Sequence, residues 1–134
     1  LVGSEMCIRD RYTITLSEYG NYMVSYSGQD GEGNPVRFTY VIICADTEGP
    51  VLLPAETELH AGVGDEVTLP SYTCEDNVTA EPVVSVQVED PNGKISTCAT
   101  GKIKVDRAGK YIIRYFAVDD NFNTTLVEVV LNVA

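Results

Sequence analysis

The stretch that decides the fold runs from Gly109 to Asn123 and reads GKYIIRYFAVDDNFN. From Tyr111 to Ala117, every second side chain is apolar or aromatic, which is the period of a β-strand. A polar turn follows, and another alternating run begins at Thr124. The stretch therefore predicts two long strands joined by a short loop.

The same pattern occurs twice in the chain, at an offset of 89 positions. The residues Ile14, Gly20, Tyr22, Tyr26, Asp30, Asn34, Val41 and Ala45 recur as Ile103, Gly109, Tyr111, Tyr115, Asp119, Asn123, Val130 and Ala134. Chains built from like modules are arrays. We therefore expect a complete module over residues 46–134 and the last strands of a truncated one over residues 12–45. Further modules are expected on both sides.

Residues 1–11 resemble neither copy. Their sequence, LVGSEMCIRDR, resembles the translation of a transposase sequencing adapter. We interpret them as a non-native, adapter-derived segment and leave them out of the fold argument, as one would an expression scar. The alternative is a natural N-terminal strand.

The charge balance excludes several classes of partner. The chain carries 20 Asp and Glu residues against 9 Lys and Arg residues, for a net charge of -11. It has no basic stripe to neutralise phosphates, so we expect neither nucleic acid nor an anionic membrane surface as a partner. The longest apolar run, residues 40–45, is far shorter than the roughly 18 residues of a membrane-spanning helix. No membrane insertion is expected within the chain.

Alternation predicts seven strands in the complete module. They are expected near residues 50–54, 65–74, 83–89, 94–99, 102–106, 110–118 and 124–133. This number and spacing are typical of an immunoglobulin-like sandwich, so the predicted fold class is all-β, with immunoglobulin-like β-sandwich modules in tandem. The Asp90-Pro91-Asn92-Gly93 segment predicts the turn between the third and fourth strands.

The repeat also predicts which face of the sixth strand is buried. Tyr111, Ile113, Tyr115 and Ala117 have the apolar or small counterparts Tyr22, Val24, Tyr26 and Gly28, whereas the intervening residues differ in polarity between the copies. The first set is therefore expected to face the core. Stacking of sugars on these tyrosines is the alternative, but burial with a hydrogen-bonded hydroxyl is commoner.

Six motifs in order carry a family resemblance. They are DTEGPV at 46–51, VGDEVTLP at 63–70, YTCEDN at 72–77, AGKY at 108–111, YFAVD at 115–119 and NTT at 123–125. Together they resemble the bacterial immunoglobulin-like repeats of surface and secreted proteins, which also occur in some insecticidal crystal toxins and are similar to hyalin repeats. The resemblance implies a non-catalytic extracellular module that spaces or presents other domains. Cys74 and Phe122 depart from it, since a small residue and a glycine are usual there.

Acidic and amide side chains are expected to meet at one pole of the sandwich. In this fold the start of the first strand, the second-to-third loop and the sixth-to-seventh loop share a pole. Calcium takes six to eight oxygen ligands, so these side chains form a candidate calcium site. Its residues are Asp46, Glu48, Asp76, Asn77, Asp119, Asp120 and Asn121. The alternative is that Asp76 and Asp119 accept backbone N–H bonds in their own turns.

A candidate partner surface lies on the outer face of the last two strands. If the inward set is correct, mostly apolar side chains point outward there, and the first module does not share them fully. They are Ile112, Phe116, Val118, Leu126 and Val130. Arg114 interrupts this surface, and scattered apolar surface residues are the alternative.

Cysteine and histidine usage leaves little chemistry for catalysis. A Cys74–Cys98 disulfide would suit an oxidising exterior, with buried free thiols as the alternative. The single histidine, His60, lies in a loop-like segment without an adjacent acid or nucleophile, so no catalytic triad is indicated. We expect no enzyme activity.

The expected function is that of a spacer, stalk or adhesion module in a multidomain bacterial protein, at the cell surface or outside the cell. Its expected partners are the neighbouring immunoglobulin-like modules. The alternative is an accessory module of a secreted enzyme or phage tail that binds carbohydrate or a host or cell-surface protein. Calcium is the one candidate cofactor.

Overall fold

The computed structural model describes residues 2–3 and 13–134, and all its regular elements over this range are β-strands. Contacts divide the chain into two compact units, Leu1–Asp46 (unit 1) and Thr47–Ala134 (unit 2). No helix in the described part of the chain is long and apolar enough to cross a membrane. Most of the segment interpreted as adapter-derived lies outside the described residues.

Unit 1 is built on one hairpin. It contains β1 (Val2–Gly3), β2 (Gly20–Gln29) and β3 (Pro35–Cys44). β2 and β3 pair antiparallel along their whole length, and β1 pairs parallel with the middle of β2. Val24 is buried, but most of β3 is exposed, including Phe38 at 62%.

Unit 2 contains nine strands in two layers. They are β4 (Val51–Pro54), β5 (Glu58–Ala61), β6 (Glu66–Thr68), β7 (Tyr72–Glu75), β8 (Val83–Glu89), β9 (Ile95–Thr97), β10 (Lys102–Lys104), β11 (Gly109–Val118) and β12 (Thr124–Val133). One layer is a five-stranded sheet in the order β5-β12-β11-β8-β9. The other consists of two short pairs, β4 with β7 and β6 with β10.

The core of unit 2 lies between these layers. Leu52 and Val105 come from the side of the short pairs, and they join Ile113 and Val129 from the five-stranded sheet in one buried cluster. Tyr115 is also buried, and its hydroxyl donates to the carbonyl of Pro70, 2.8 Å away. Packing between these two layers of strands confirms the predicted all-β sandwich.

The predicted inward face of β11 is confirmed. Tyr111, Ile113, Tyr115 and Ala117 are all buried, whereas Phe116 between them is exposed. The same alternation continues across the sheet, because Val129 and Leu131 of β12 are fully buried. The buried Tyr111 hydroxyl is hydrogen-bonded to the turn before β11, since it lies 3.3 Å from Oδ1 of Asp106 and 3.4 Å from the carbonyl oxygen of Arg107.

Two strand predictions need correction. The strand expected over residues 65–74 is split into β6 and β7, and Pro70 lies in the gap, where proline supplies no N–H for a ladder. The segment around His60, expected to be a loop, is strand β5. Its four residues give too short an alternation to stand out, yet Leu59 and Ala61 pack against the core.

The sequence repeat is also a repeat of local structure. β2 and β3 have the same lengths and the same register as β11 and β12, at the same offset: Gly20 faces Cys44 as Gly109 faces Val133. The tyrosine bond recurs as well, with the hydroxyl of Tyr22 donating to the carbonyl of Glu18 at 2.6 Å. The hairpin is therefore the part of the repeat that both units share.

Candidate functional site

The loop between β11 and β12 is organised by Asp119. Its Oδ1 accepts hydrogen bonds from the backbone N–H groups of Asn121 and Asn123, each at 2.8 Å. Its Oδ2 accepts one from the amide of Asn123 at 2.7 Å. An aspartate that accepts bonds from residues two and four positions ahead closes a tight turn. The buried carboxylate of Asp119 is thereby fixed at this end of the sheet.

The loop after β7 uses Asp76 in a similar way. Its Oδ2 accepts from the backbone N–H groups of Val78 and Thr79, at 3.0 and 2.7 Å. The Thr79 hydroxyl is in turn bonded by the backbone N–H of Asp120 at 3.0 Å, which ties this loop to the one between β11 and β12. Both aspartates therefore have the structural role that the sequence left as the alternative.

Three carboxylates of the candidate calcium site meet at this pole. One oxygen from each of Asp46, Asp76 and Asp119 lies within 4.8 Å of the others, with Asp46 directly preceding unit 2. The Oδ1 atom of Asp76 is buried and accepts no hydrogen bond from the described residues. Like charges this close repel one another, and a bound cation would relieve the repulsion. Carboxylate oxygens are the ligands that calcium prefers.

The other predicted ligands are not all drawn into this cluster. Glu48 and Asn77 line a shallow depression together with Asp76. Asp120 is exposed and is not part of the close carboxylate set among the described residues, and the amide side chain of Asn121 is exposed as well. The structure thus brings together three of the seven predicted ligands and places two more beside them.

The outer face of β11 and β12 carries the predicted apolar side chains, but the charged side chain of Arg114 lies across it. Phe116 faces Leu126 across the two strands, and both are exposed. Ile112 likewise faces Val130, but both are half-buried, as is Val118. Arg114 crosses this face through ion pairs to Glu89 at 2.7 Å and Glu128 at 2.9 Å. These bonds raise the pKa of Arg114, so it remains a cation at every physiological pH.

Phe116 and Leu126 form the apolar side of a shallow groove. Ser85, Gln87 and Arg114 form its polar side. The apolar part of the predicted surface is therefore narrower than the full set of five residues, because Arg114 and its two carboxylate partners divide it. A partner would meet two exposed apolar side chains beside hydrogen-bonding groups.

The three cysteines that the structure describes, Cys44, Cys74 and Cys98, are free thiols. Cys74 and Cys98 are half-buried and both pack against the core of unit 2, so the candidate disulfide between them is not formed here. Burial raises the pKa of the Cys74 thiol, with the charge of Asp76 adding to it. A raised pKa makes Cys74 a poor nucleophile at neutral pH. The disulfide stays a prediction for an oxidising environment.

His60 is exposed on the edge strand β5, and its nearest charged neighbour is Glu58 at 3.6 Å. An exposed imidazole beside one carboxylate lacks the nucleophile and the oriented base of a catalytic set. Sequence reasoning missed Thr79, whose buried hydroxyl joins the two loops of the pole. No sequence pattern indicates this role, because Thr79 and its partner Asp120 lie on different loops that come together only in the folded unit.

A scan against protein-family models and a search of curated proteins found no match to this chain.

Proposed function

We propose that unit 2 is a non-catalytic spacer module of a bacterial cell-surface or secreted protein. One observation carries the proposal, namely the path of the chain through the unit. The hydroxyl of Thr125, at the start of β12, donates to the carbonyl of Pro50 at 2.6 Å, so the chain enters the unit beside that end of β12. It leaves at Ala134, beyond the other end.

Because of this path, the unit can separate the domains on either side of it by its own length. β12 has ten residues, which at about 3.3 Å per residue gives about 30 Å between entry and exit. A chain that enters and leaves a unit at opposite ends adds the unit's length to the whole. The resemblance to bacterial immunoglobulin-like repeats and the strongly acidic, soluble composition support the same role.

The experiment is a ruler test on a cell surface. One, two or three copies of residues 46–134 would be placed between a surface anchor and a fluorescent reporter, and the reporter's height above the membrane measured. We expect a constant rise of at least about 30 Å per copy, from the strand length above. A height that does not grow with copy number would contradict the proposal.

A second candidate function rests on the groove beside Phe116. Two exposed apolar side chains next to Gln87 and Arg114 suit an accessory module that binds a protein or carbohydrate. Binding of the chain to a glycan array, lost in Phe116→Ser, would favour this function over a passive spacer.

A further inference from the structure

β5 and β12 are parallel neighbours at one edge of the five-stranded sheet. Four residue pairs define the contact, from Glu58 with Val130 to Ala61 with Val133. β5 lies near the beginning of unit 2 and β12 is its last strand. The contact therefore joins the two ends of the unit's chain directly.

Hydrogen bonds connect the two strands along the whole contact. The backbone N–H of Val130 donates to the carbonyl of Thr57 at 3.0 Å, and that of Ala134 donates to Ala61 at 3.1 Å. In the opposite direction, the backbone N–H of Val63 donates to the carbonyl of Ala134 at 3.2 Å. These bonds run from strand to strand, at a slant to the direction in which the two parallel strands extend.

A side-chain bond reinforces the backbone ladder. The amide of Asn132 donates to Oε1 of Glu58 at 2.8 Å. Beneath the ladder, Leu59 and Ala61 pack against a core that includes Leu131 and Val133. Relative sliding of the two strands would expose this packed apolar surface as well as break the bonds.

Tension along the chain would load this contact in shear. A force applied at the entry and exit of unit 2 pulls β5 toward the entry end and β12 toward the exit end. Because the two strands are parallel, each is pulled along its own length, past the other. All the bonds of the ladder then resist together, whereas a force that separates the strands from one end would break them one after another.

β4 is the first element on the path of the force. It pairs with β7 over four residues, from Val51 to Pro54. Its release would free only the chain before β5 and would leave the five-stranded sheet intact. The β5–β12 contact is therefore the barrier that separates a stretched unit from an unfolded one.

We infer that unit 2 resists mechanical tension along its length, and that the parallel β5–β12 contact is the element that does so. This inference rests on the proposed spacer function and adds to it that the spacer works under force. Resistance to tension is a property expected of a protein that connects a cell surface to a bound partner and carries the force between them.

The test is single-molecule force spectroscopy on the full 134-residue chain in two attachment geometries. In the first, handles on a non-natural amino acid at Ala45 and on the C-terminus shear β5 against β12. In the second, handles at Val63 and the C-terminus hold the same end of both strands and peel them apart. Forced unfolding follows the unfolding barrier along the direction of pulling. We expect a rupture force several-fold higher in the first geometry.

Two proline variants in the shear geometry locate the resistance. Val63→Pro removes the N–H that bonds to Ala134. His60→Pro is the matched control, because alternate residues of a parallel strand bond to the partner and the N–H of His60 has the opposite parity. We expect a lower rupture force for Val63→Pro than for His60→Pro.

Equal rupture forces in the two geometries of the unmodified chain would overturn the inference without any variant. A lower force for His60→Pro than for Val63→Pro would also overturn it. Neither result would affect the reporter heights of the ruler test, so failure of the inference and failure of the spacer function are distinguishable.

Discussion

Phe122 has a backbone conformation that suits glycine. Its φ is +65°, and it is the one non-glycine residue with positive φ in the part of the chain that the structure describes. The matching position of the β2–β3 loop is Gly33, with φ +81°. The left-handed region costs a residue with a Cβ roughly 1–2 kcal/mol. Phe122 is also 85% exposed, so packing does not offset this cost.

Phe122→Gly should therefore stabilise unit 2, by up to about 1 kcal/mol, because the strain is removed and the flexibility that glycine adds to the unfolded chain offsets part of the gain. Urea unfolding would measure the difference. Gly93→Ala is the reverse substitution and serves as the control: φ at Gly93 is +82°, and an added Cβ meets no atom closer than 3.9 Å. It should lose stability through the backbone alone, and a stabilising Gly93→Ala would show that φ is not the cause.

The carboxylate cluster predicts a response to calcium. If Asp46, Asp76 and Asp119 hold the ion, calcium stabilises the native chain by mass action and raises its Tm. Asp76→Ala and Asp119→Ala should abolish that gain. Asp90→Ala is the control, because Asp90 accepts the same pair of backbone bonds as Asp119, from the residues two and four positions ahead, but is not part of the cluster. Identical melting curves in millimolar calcium and in chelator would rule the site out.

Tyr115 predicts a loss of stability at alkaline pH. Burial, followed by the nearby Cys98 and Tyr72, raises the pKa of the Tyr115 phenol to about 12, whereas an ordinary tyrosine titrates at about 10. Between these values the unfolded chain has released the phenol proton and the native chain has kept it. The free energy of unfolding should thus fall by about 2 to 3 kcal/mol as pH rises from 10 to 12.

Tyr115→Phe isolates this effect. It removes the titrating group together with the bond to Pro70, so it costs about 1 kcal/mol at neutral pH. Unfolding measured across the same alkaline range should show a flatter pH dependence in the variant. An unchanged slope would assign the alkaline loss to other groups.

At the scale of elements, the two faces of β11 predict different effects of substitution: on binding for the exposed face and on stability for the buried face. Phe116→Ser should change the free energy of unfolding by less than about 1 kcal/mol, because the side chain is exposed. It should nevertheless weaken self-association or partner binding, measured by sedimentation or pull-down. Ile113→Ala, on the buried face of the same strand, is the matched control and should cost about 2–5 kcal/mol. A loss of that size for Phe116→Ser would contradict its surface role.

The sequence predicted long elements well and short ones poorly. β8 and β12 have the predicted bounds, and the Asp90 turn lies between β8 and β9, because alternation over seven or ten residues is distinctive. β5 was missed, since it is a strand only through its partner β12. At the pole, three of the seven proposed ligands meet, but residue types on a loop do not say where each side chain points.

At the scale of the whole molecule, the two units differ in the number of layers that the structure describes. Unit 2 has both layers of a sandwich around a single core, whereas the described residues of unit 1 form one sheet, β1-β2-β3, with an exposed aromatic face. Tyr26 and Tyr40 stack on that face at 5.9 Å between ring centres. An isolated two-stranded hairpin is marginal in water. The hairpin of residues 12–45 alone is therefore expected to be marginally stable.

Residues 46–134 alone should consequently fold cooperatively, and residues 12–45 alone should not. Circular dichroism and thermal melting of the two segments would measure this directly. If residues 46–134 were unfolded while the 134-residue chain folded cooperatively, the boundary at Asp46 would be wrong.

The position of β12 in the sheet also has a consequence for synthesis. This strand lies between β5 and β11, and it contributes Val129 and Leu131 to the core, yet its residues are the last of the unit to be translated. A ribosome that has released everything up to β11 has produced an open sheet edge and an uncovered apolar layer. The unit can therefore close only after the end of β12 has left the exit tunnel, and it does so in one late step.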